Sequence, residues 1–291
     1  MIPGSFGYHV PSSLDEAVKL LAQHGDSAKL LAGGQSLIPA MRFRLAAPEA
    51  LIDISGLKDL QYVEERGDHL AIGAMTRETR MEELDLVRTR YPLLYETAKV
   101  VADPLVRNRA TVGGNIAHAD PANDHPATML AYDARVVARG PKGERVIDID
   151  DFFTGLFENA LTDDEILTEI RIPRPVRGSG GAYSKIERKV GDYAIAAVAV
   201  QLQMSGDEVK DVRIGLTNVS PVPMRSLTAE TALRGQKLSD GVLEAAGQAA
   251  SRECEPSSDL RGAEDYKRDL VRVLVKRTVT RAMQRAKGQA Q

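Results

Sequence analysis

The hydrophobic and polar positions of this chain follow two different rhythms. Over the first half, short apolar runs alternate with stripes at helical spacing. Ser13-x-x-Glu16 has the form of a capping box, in which the serine hydroxyl accepts from the amide three residues on and the glutamate reaches back. It introduces Leu14, Ala17, Val18 and Leu21, one apolar helix face that Gly25 ends. Residues 29–32, 51–54 and 70–74 predict strands, and residues 36–42 and 91–102 predict helices. Residues 136–149 predict a hairpin around Gly140-Pro141-Lys142-Gly143. Residues 166–172 predict a strand stopped by Pro173, which has no N–H to give to a ladder.

The rhythm then changes. Pro173-Arg174-Pro175-Val176-Arg177-Gly178-Ser179-Gly180-Gly181 reads as a linker, dividing residues 1–177 from 178–291. Beyond it, two long strands at 194–204 and 209–217 flank the turn Ser205-Gly206-Asp207-Glu208, and helices follow near 227–234, 239–253 and 262–287. The two halves together predict an α+β protein of two domains. In the last helix Tyr266, Leu270, Val273 and Leu274 form the expected buried stripe. Lys267, Arg268, Arg272, Lys276, Arg277, Arg281, Arg285 and Lys287 are expected on a solvated face rather than against nucleic acid, because the whole chain is slightly acidic.

Composition narrows the class. The 291 residues carry a net charge of −3, which favours neither nucleic acid nor acidic lipid. The lone cysteine, Cys254, leaves no disulfide framework and too few thiolates for an iron–sulfur cluster held by this chain alone. The start of the chain shows no signal peptide. The longest apolar run, residues 193–200, is too short to span a bilayer. A reducing, cytoplasmic setting is the expectation.

Two double-glycine turns hold the candidate chemistry: Leu31-Ala32-Gly33-Gly34-Gln35-Ser36-Leu37 and Arg109-Ala110-Thr111-Val112-Gly113-Gly114-Asn115. Glycine lets backbone approach a ligand without a Cβ in the way. Successive N–H groups then make an anion-binding concavity, aided in the first turn by the expected helix start. Converging turns would hold a phosphate-bearing ligand; for either alone, a plain tight turn competes. No G-x-G-x-x-G follows a strand, and neither a P-loop nor G-x-S-x-G occurs. His118 and His125, with Asp120 and Asp124 nearby, admit a metal, but hydrogen-bonding loop histidines fit as well. Cys254 has no nucleophile context.

In order and spacing the two turns resemble those of the FAD-binding medium subunits of molybdenum hydroxylases, in the aerobic carbon monoxide dehydrogenase pattern. That family carries A-G-G-[HQ]-S-L and T-[IVL]-G-G-[NS], here residues 32–37 and 111–115. Met1-Ile2-Pro3-Gly4-Ser5-Phe6, Asp120-Pro121-Ala122-Asn123-Asp124, Ile170-Arg171-Ile172-Pro173, Arg188-Lys189-Val190-Gly191-Asp192-Tyr193-Ala194 and Ile214-Gly215-Leu216-Thr217-Asn218-Val219 also look like the family's. The resemblance therefore spans essentially the whole chain. It implies a two-lobed FAD-binding domain of the vanillyl-alcohol-oxidase (PCMH) type over 1–177. A C-terminal domain with a three-stranded antiparallel sheet and a helical bundle would fill 178–291.

The resemblance also implies roles. Ala32, Gly33, Gly34, Gln35, Ser36 and Leu37 would form one clamp on the FAD pyrophosphate, and Thr111, Val112, Gly113, Gly114 and Asn115 the other. Backbone N–H groups of Gly33–Ser36, Gly113 and Gly114 would donate, and Thr111 and Asn115 would add side-chain bonds. Asp124 would contact the polar chain of FAD, Lys185 would lie at the O2 edge of the isoalloxazine, Tyr193 would stack on it, and Leu167 is a further ring contact. On the residues alone, Tyr193 reads equally as core, Lys185 as a surface lysine and Asp124 as an N-cap. No catalytic residue and no metal ligand is implied on this chain. Gln35 stands where many of these chains have histidine, so a noncovalent FAD is expected.

A molybdopterin large subunit and a small subunit with [2Fe-2S] clusters are the implied partners, in a dimer of heterotrimers. Electrons would leave to a quinone or another external acceptor. The complex would be cytoplasmic, or peripheral at the inner face of the membrane. Subunits for quinoline- or nicotine-like heterocycles, xanthine or aldehydes share the pattern. A free-standing flavin oxidase and a redox-silent nucleotide-binding module are the other readings.

Overall fold

The computed structural model of the chain describes residues 2–288. Its first lobe is a parallel sheet with Ala50–Asp53 in the middle, flanked by Gly7–His9 and Ala28–Leu31. The helix Leu14–His24 covers it and buries Ala17, Val18 and Leu21 against Ala28, Ala50 and Ile52. Val18, Leu21 and Ile52 each contribute about 1.5–3 kcal/mol relative to exposure. Ser13 caps the helix by accepting from Glu16 N at 3.2 Å. The Glu16 carboxylate reaches one residue further back than a capping box requires, to Ser12 N and Ser12 Oγ at 2.7 Å each.

The second lobe is an antiparallel sheet in the order Val63–Arg66, His69–Gly73, Ile166–Pro173, Arg135–Gly140, Gly143–Asp148. The expected hairpin turns at Pro141-Lys142. Pro173 closes the central strand opposite His69, after the ladder to Arg135–Gly140 has ended at Arg171. The helices Pro92–Val100 and Asp124–Tyr132 pack over this sheet. Every residue of Asp124–Tyr132 is buried, because sheets lie on both of its sides.

The third sheet has three long antiparallel strands, Ser179–Glu187, Ala194–Ser205 and Glu208–Thr217, with a two-residue fourth, Met224–Arg225, at its edge. Ala194, Ala197 and Ala199 join the core of the second lobe. Ala196, Val198, Val200, Leu202 and Met204 join a separate core under the helices Asp240–Glu253 and Glu264–Ala286. A strand buried on both faces needs a continuous apolar run, which explains residues 194–200. A Cβ on Gly215 would lie 2.0 Å from the Ala127 carbonyl oxygen, so only glycine lets the helix Asp124–Tyr132 sit this close to the sheet.

Three expectations change. The linker is only 174–178, since Ser179–Glu187 is a strand. Its glycines serve packing: a Cβ on Gly180 would lie 2.1 Å from the Ala282 carbonyl oxygen of the last helix. The buried stripe of that helix is Lys267, Val271, Leu274, Val275, Thr278, Val279 and Ala282; Tyr266 is 48% exposed. Nor are its basic residues all solvated. Arg281 and Arg285 converge on Glu96 of the second lobe, which also accepts from Tyr183 N at 2.8 Å, and so they tie the two halves together. Arg272 and Lys276 pair with Glu244 of the neighbouring helix.

Candidate functional site

A cleft of about 990 Å³ runs between the two lobes and reaches the start of the strand Ala194–Ser205. That is the upper end of the roughly 300–1,000 Å³ typical of ligand pockets. Both double-glycine turns border it. They also touch each other: a Cβ on Gly33 would lie 2.5 Å from the Arg109 carbonyl oxygen and 2.7 Å from Ala110 Cα.

The turns use their amides in opposite ways. Gly33, Gly34, Gln35 and Ser36 lie between the strand Ala28–Leu31 and the helix Leu37–Arg42, and Gly34 has φ +74°. None of their four N–H groups has an acceptor among the described residues. Gly33, Gly34 and Ser36 are half-buried and Gln35 is exposed, so these amides are free to take an acceptor from outside the chain. In the second turn every amide from Val112 to Asn115 is engaged. Val112 N donates to Thr76 O and Gly113 N to Ala74 O, both at 3.0 Å. Gly114 N donates to Thr111 Oγ1 at 3.1 Å, and Asn115 N to Thr111 O at 3.0 Å. Thr111 is thus the N-cap of the helix Val112–His118. The expected donation by Gly113 and Gly114 amides is replaced by a folding role, and Val112 points into the core. What the second turn offers the cleft is side chains. The Thr111 hydroxyl hydrogen remains to donate, and Asn115 Oδ1 is buried with no partner among the described residues.

Ala32, Leu37, Asp124, Leu167 and Tyr193 also line the cleft. Asp124 accepts from the Tyr183 hydroxyl at 2.6 Å and from Lys185 Nζ at 3.0 Å. Burial pushes its carboxyl pKa up, and Lys185 and Tyr183 act in the opposite direction. Lys185 stands behind Asp124 and not among the lining residues. Its side chain is 4% exposed and also meets Val100 O at 2.9 Å and Glu187 at 3.2 Å. Tyr193, 39% exposed, presents its ring at the cleft with the Arg261 guanidinium 5.3 Å from its centre.

His118, singled out in the sequence with His125, Asp120 and Asp124, stands in the cleft wall, its ring 5.3 Å from that of Phe157, which sequence reasoning missed. Burial holds the His118 pKa below its usual value, against the pull of Asp120. Phe157 is an isolated aromatic brought in by tertiary structure, with no sequence signal to find it by. His125 lies in the core, its ring nitrogen 2.7 Å from Glu78.

Residues 4–175 match the model of the FAD binding domain in molybdopterin dehydrogenase, and residues 181–282 that of the CO dehydrogenase flavoprotein C-terminal domain. The chain belongs to the flavoprotein subunits of the molybdenum hydroxylases. As a member it is an oxidoreductase subunit with an FAD-binding domain. It is 46% identical to the medium chain of carbon monoxide dehydrogenase from Hydrogenophaga pseudoflava, over 98% of this chain and 99% of that one. Identity to the nicotine 6-hydroxylase medium subunit of Paenarthrobacter nicotinovorans is 36%, over 94% and 96% of the two chains. Among solved structures, that of the Hydrogenophaga pseudoflava carbon monoxide dehydrogenase lacking the Mo-pyranopterin moiety superposes with a TM-score of 0.96. Its identity is 48%, covering 98% of this chain and 99% of that one.

Proposed function

We propose that the cleft holds FAD noncovalently and that the chain is the electron-transfer subunit of a molybdenum hydroxylase of the carbon monoxide dehydrogenase type. One observation carries this reading: four unpaired amides and the unpartnered Asn115 Oδ1 meet in one cleft of a flavoprotein-family chain. The donor set suits the group. Gly33, Gly34, Gln35 and Ser36 offer N–H groups to pyrophosphate oxygens. The Thr111 hydroxyl donates a further bond. Asn115 Oδ1 takes a hydroxyl of the FAD chain, and so does Asp124, whose carboxylate Lys185 and Tyr183 hold in place. Tyr193 and Leu167 pack on the ring. Gln35 has no nucleophilic ring nitrogen, which supports a dissociable cofactor.

When bound, FAD supplies a carrier for electrons. The chain's residues hold it, exclude water and orient its ring. The single cysteine supports [2Fe-2S] clusters on a partner small subunit, and the carbon monoxide dehydrogenase relative supports a molybdopterin large subunit as the place of oxidation. Electrons then leave to a quinone or another external acceptor. Among the described residues no helix is long and apolar enough to cross a membrane. The same reading places the division between domains at 177/178. The nicotine 6-hydroxylase relative favours a second reading, in which the same role serves a heterocycle hydroxylase.

The test is to purify the native complex and to measure flavin, molybdenum and iron, then the reduction of a dye by carbon monoxide and by nicotine. One FAD per chain, with molybdenum and iron on copurifying subunits and reduction by carbon monoxide, is expected. Reduction by nicotine alone would move the assignment to the second reading. A folded chain that binds no FAD, alone or in the complex, would overturn both.

A further inference from the structure

The Tyr193 side of the cleft is held from the second domain, through a relay that begins at a buried cation. Lys267, in the last helix, is 1% exposed, and its ammonium lies 2.7 Å from Asp259 Oδ2. A buried ammonium requires such a partner. The other oxygen of Asp259 accepts from Arg261 N at 2.7 Å and Gly262 N at 3.0 Å, which closes a tight turn. The turn fixes Arg261. Its guanidinium donates to Asp192 Oδ1 from Nη2 at 3.0 Å and from Nε at 3.3 Å. The same group lies 5.3 Å from the centre of the Tyr193 ring. Asp192 Oδ1 also accepts from Tyr193 N at 2.9 Å. Arg188, the other cation near Asp192, is 3.5 Å away with a largely exposed side chain, so Arg261 is the sheltered one. At Gly191, with φ +82°, a Cβ would lie 2.9 Å from the Ala102 carbonyl oxygen, so the loop is also pressed against the second lobe.

We propose that Arg261 is a positioning residue: by its contacts with Asp192 and its stacking on Tyr193 it fixes the 188–193 loop at the cleft, and the Lys267–Asp259 pair fixes Arg261. The inference rests on the reading of the cleft as the flavin site. A planar guanidinium donates to Asp192 from two nitrogens and lies against the Tyr193 ring at once, and an ammonium lacks both the fork and the flat face. Arg261 also holds the Asp192 carboxyl below the usual carboxylate range, so the contact persists at neutral pH.

The test uses the full-length chain with Arg261→Ala and Arg261→Lys. Without FAD, trypsin cleavage after Arg188 and Lys189 is followed by mass spectrometry. With FAD, affinity and quenching of flavin fluorescence are titrated. For Arg261→Ala we expect cleavage about tenfold faster, affinity about tenfold weaker and quenching reduced. Arg261→Lys should recover part of the affinity but little of the quenching. Unchanged cleavage in both variants would overturn the clamp. Faster cleavage with unchanged affinity and quenching would overturn the positioning role. If the wild-type chain binds no FAD while cleavage still depends on Arg261, the flavin reading fails and the loop clamp stands. Should Arg261→Ala lower the melting temperature of the whole chain, Arg261→Lys decides by the same readouts.

Discussion

The two double-glycine turns look alike in sequence and do different work. The first leaves four amides without an acceptor among the described residues, and the second spends its amides on the fold. The difference comes from what stands behind each. Behind Gly113 is Ala74, close enough to take its N–H and to exclude any side chain. Gly33–Ser36 connect a strand to a six-residue helix, and Ser36 makes no cap bond of its own. A shared motif therefore does not imply a shared role; the acceptors already supplied by the fold decide which N–H groups remain.

The largest test of this contrast is Gly113→Ala. The new Cβ would lie 2.5 Å from Ala74 Cβ and 2.6 Å from the Ala74 carbonyl oxygen, with backbone on one side that cannot swing away. We expect a loss of about 3 kcal/mol, at the upper end of overpacking, read by urea unfolding of the FAD-free chain. A loss below about 0.5 kcal/mol would show that the second turn is not a packing device. Next comes a paired test. Thr111→Val removes the acceptor of Gly114 N and should cost the FAD-free chain about 1 kcal/mol, the usual value of an N-cap. Ser36→Ala should leave its stability within about 0.5 kcal/mol, because Ser36 Oγ has no partner among the described residues. Equal effects from the two would erase the contrast.

Much of the fold was legible where a local rule acts alone. The helix Leu14–His24, the hairpin Arg135–Gly140/Gly143–Asp148 and the long strands Ala194–Ser205 and Glu208–Thr217 were all visible in periodicity and turn residues. The strand Ser179–Glu187 was not. Its Gly180 and Gly181 signal a flexible link, and they are there because the last helix and Leu93 pack directly against them. The last helix misled because its buried stripe includes Lys267 and Thr278, polar residues that only tertiary partners make acceptable. At the cleft, the turns, Asp124, Leu167 and Tyr193 were legible through their resemblance to a family. Arg261 and Phe157 were not, because no spacing rule links them to residues far away in the sequence.

Asn115 sharpens the contrast further, since it is the one residue of the second turn with an unpaired buried polar atom. Asn115→Leu has nearly the same shape and removes that atom. The FAD-free chain should melt at the same temperature or higher, by up to about 1 kcal/mol in stability, while FAD affinity falls. A variant that destabilises the FAD-free chain would mean that Oδ1 already has a partner, such as a buried water, and that Asn115 belongs to the scaffold.

The smallest effect reaches the second turn from behind. Glu78 N donates to Ala110 O at 3.1 Å, just ahead of Thr111, and the Glu78 carboxylate lies 2.7 Å from His125 in the core. Burial lowers the His125 pKa, but the Glu78 carboxylate overrides it, aided by Asp124, so the net shift is upward. A folded-state pKa above the unfolded value, about 6.5, stabilises fully below that pH. The contribution is lost as pH rises through the folded value. Glu78→Gln keeps the shape and removes the charge that raises the pKa. The melting temperature of the wild type should therefore exceed that of Glu78→Gln most at pH 6, with the gap narrowing toward pH 9. A gap that stays the same from pH 6 to pH 9 would mean that His125 is neutral in the folded chain and that the Glu78 charge does not act through it.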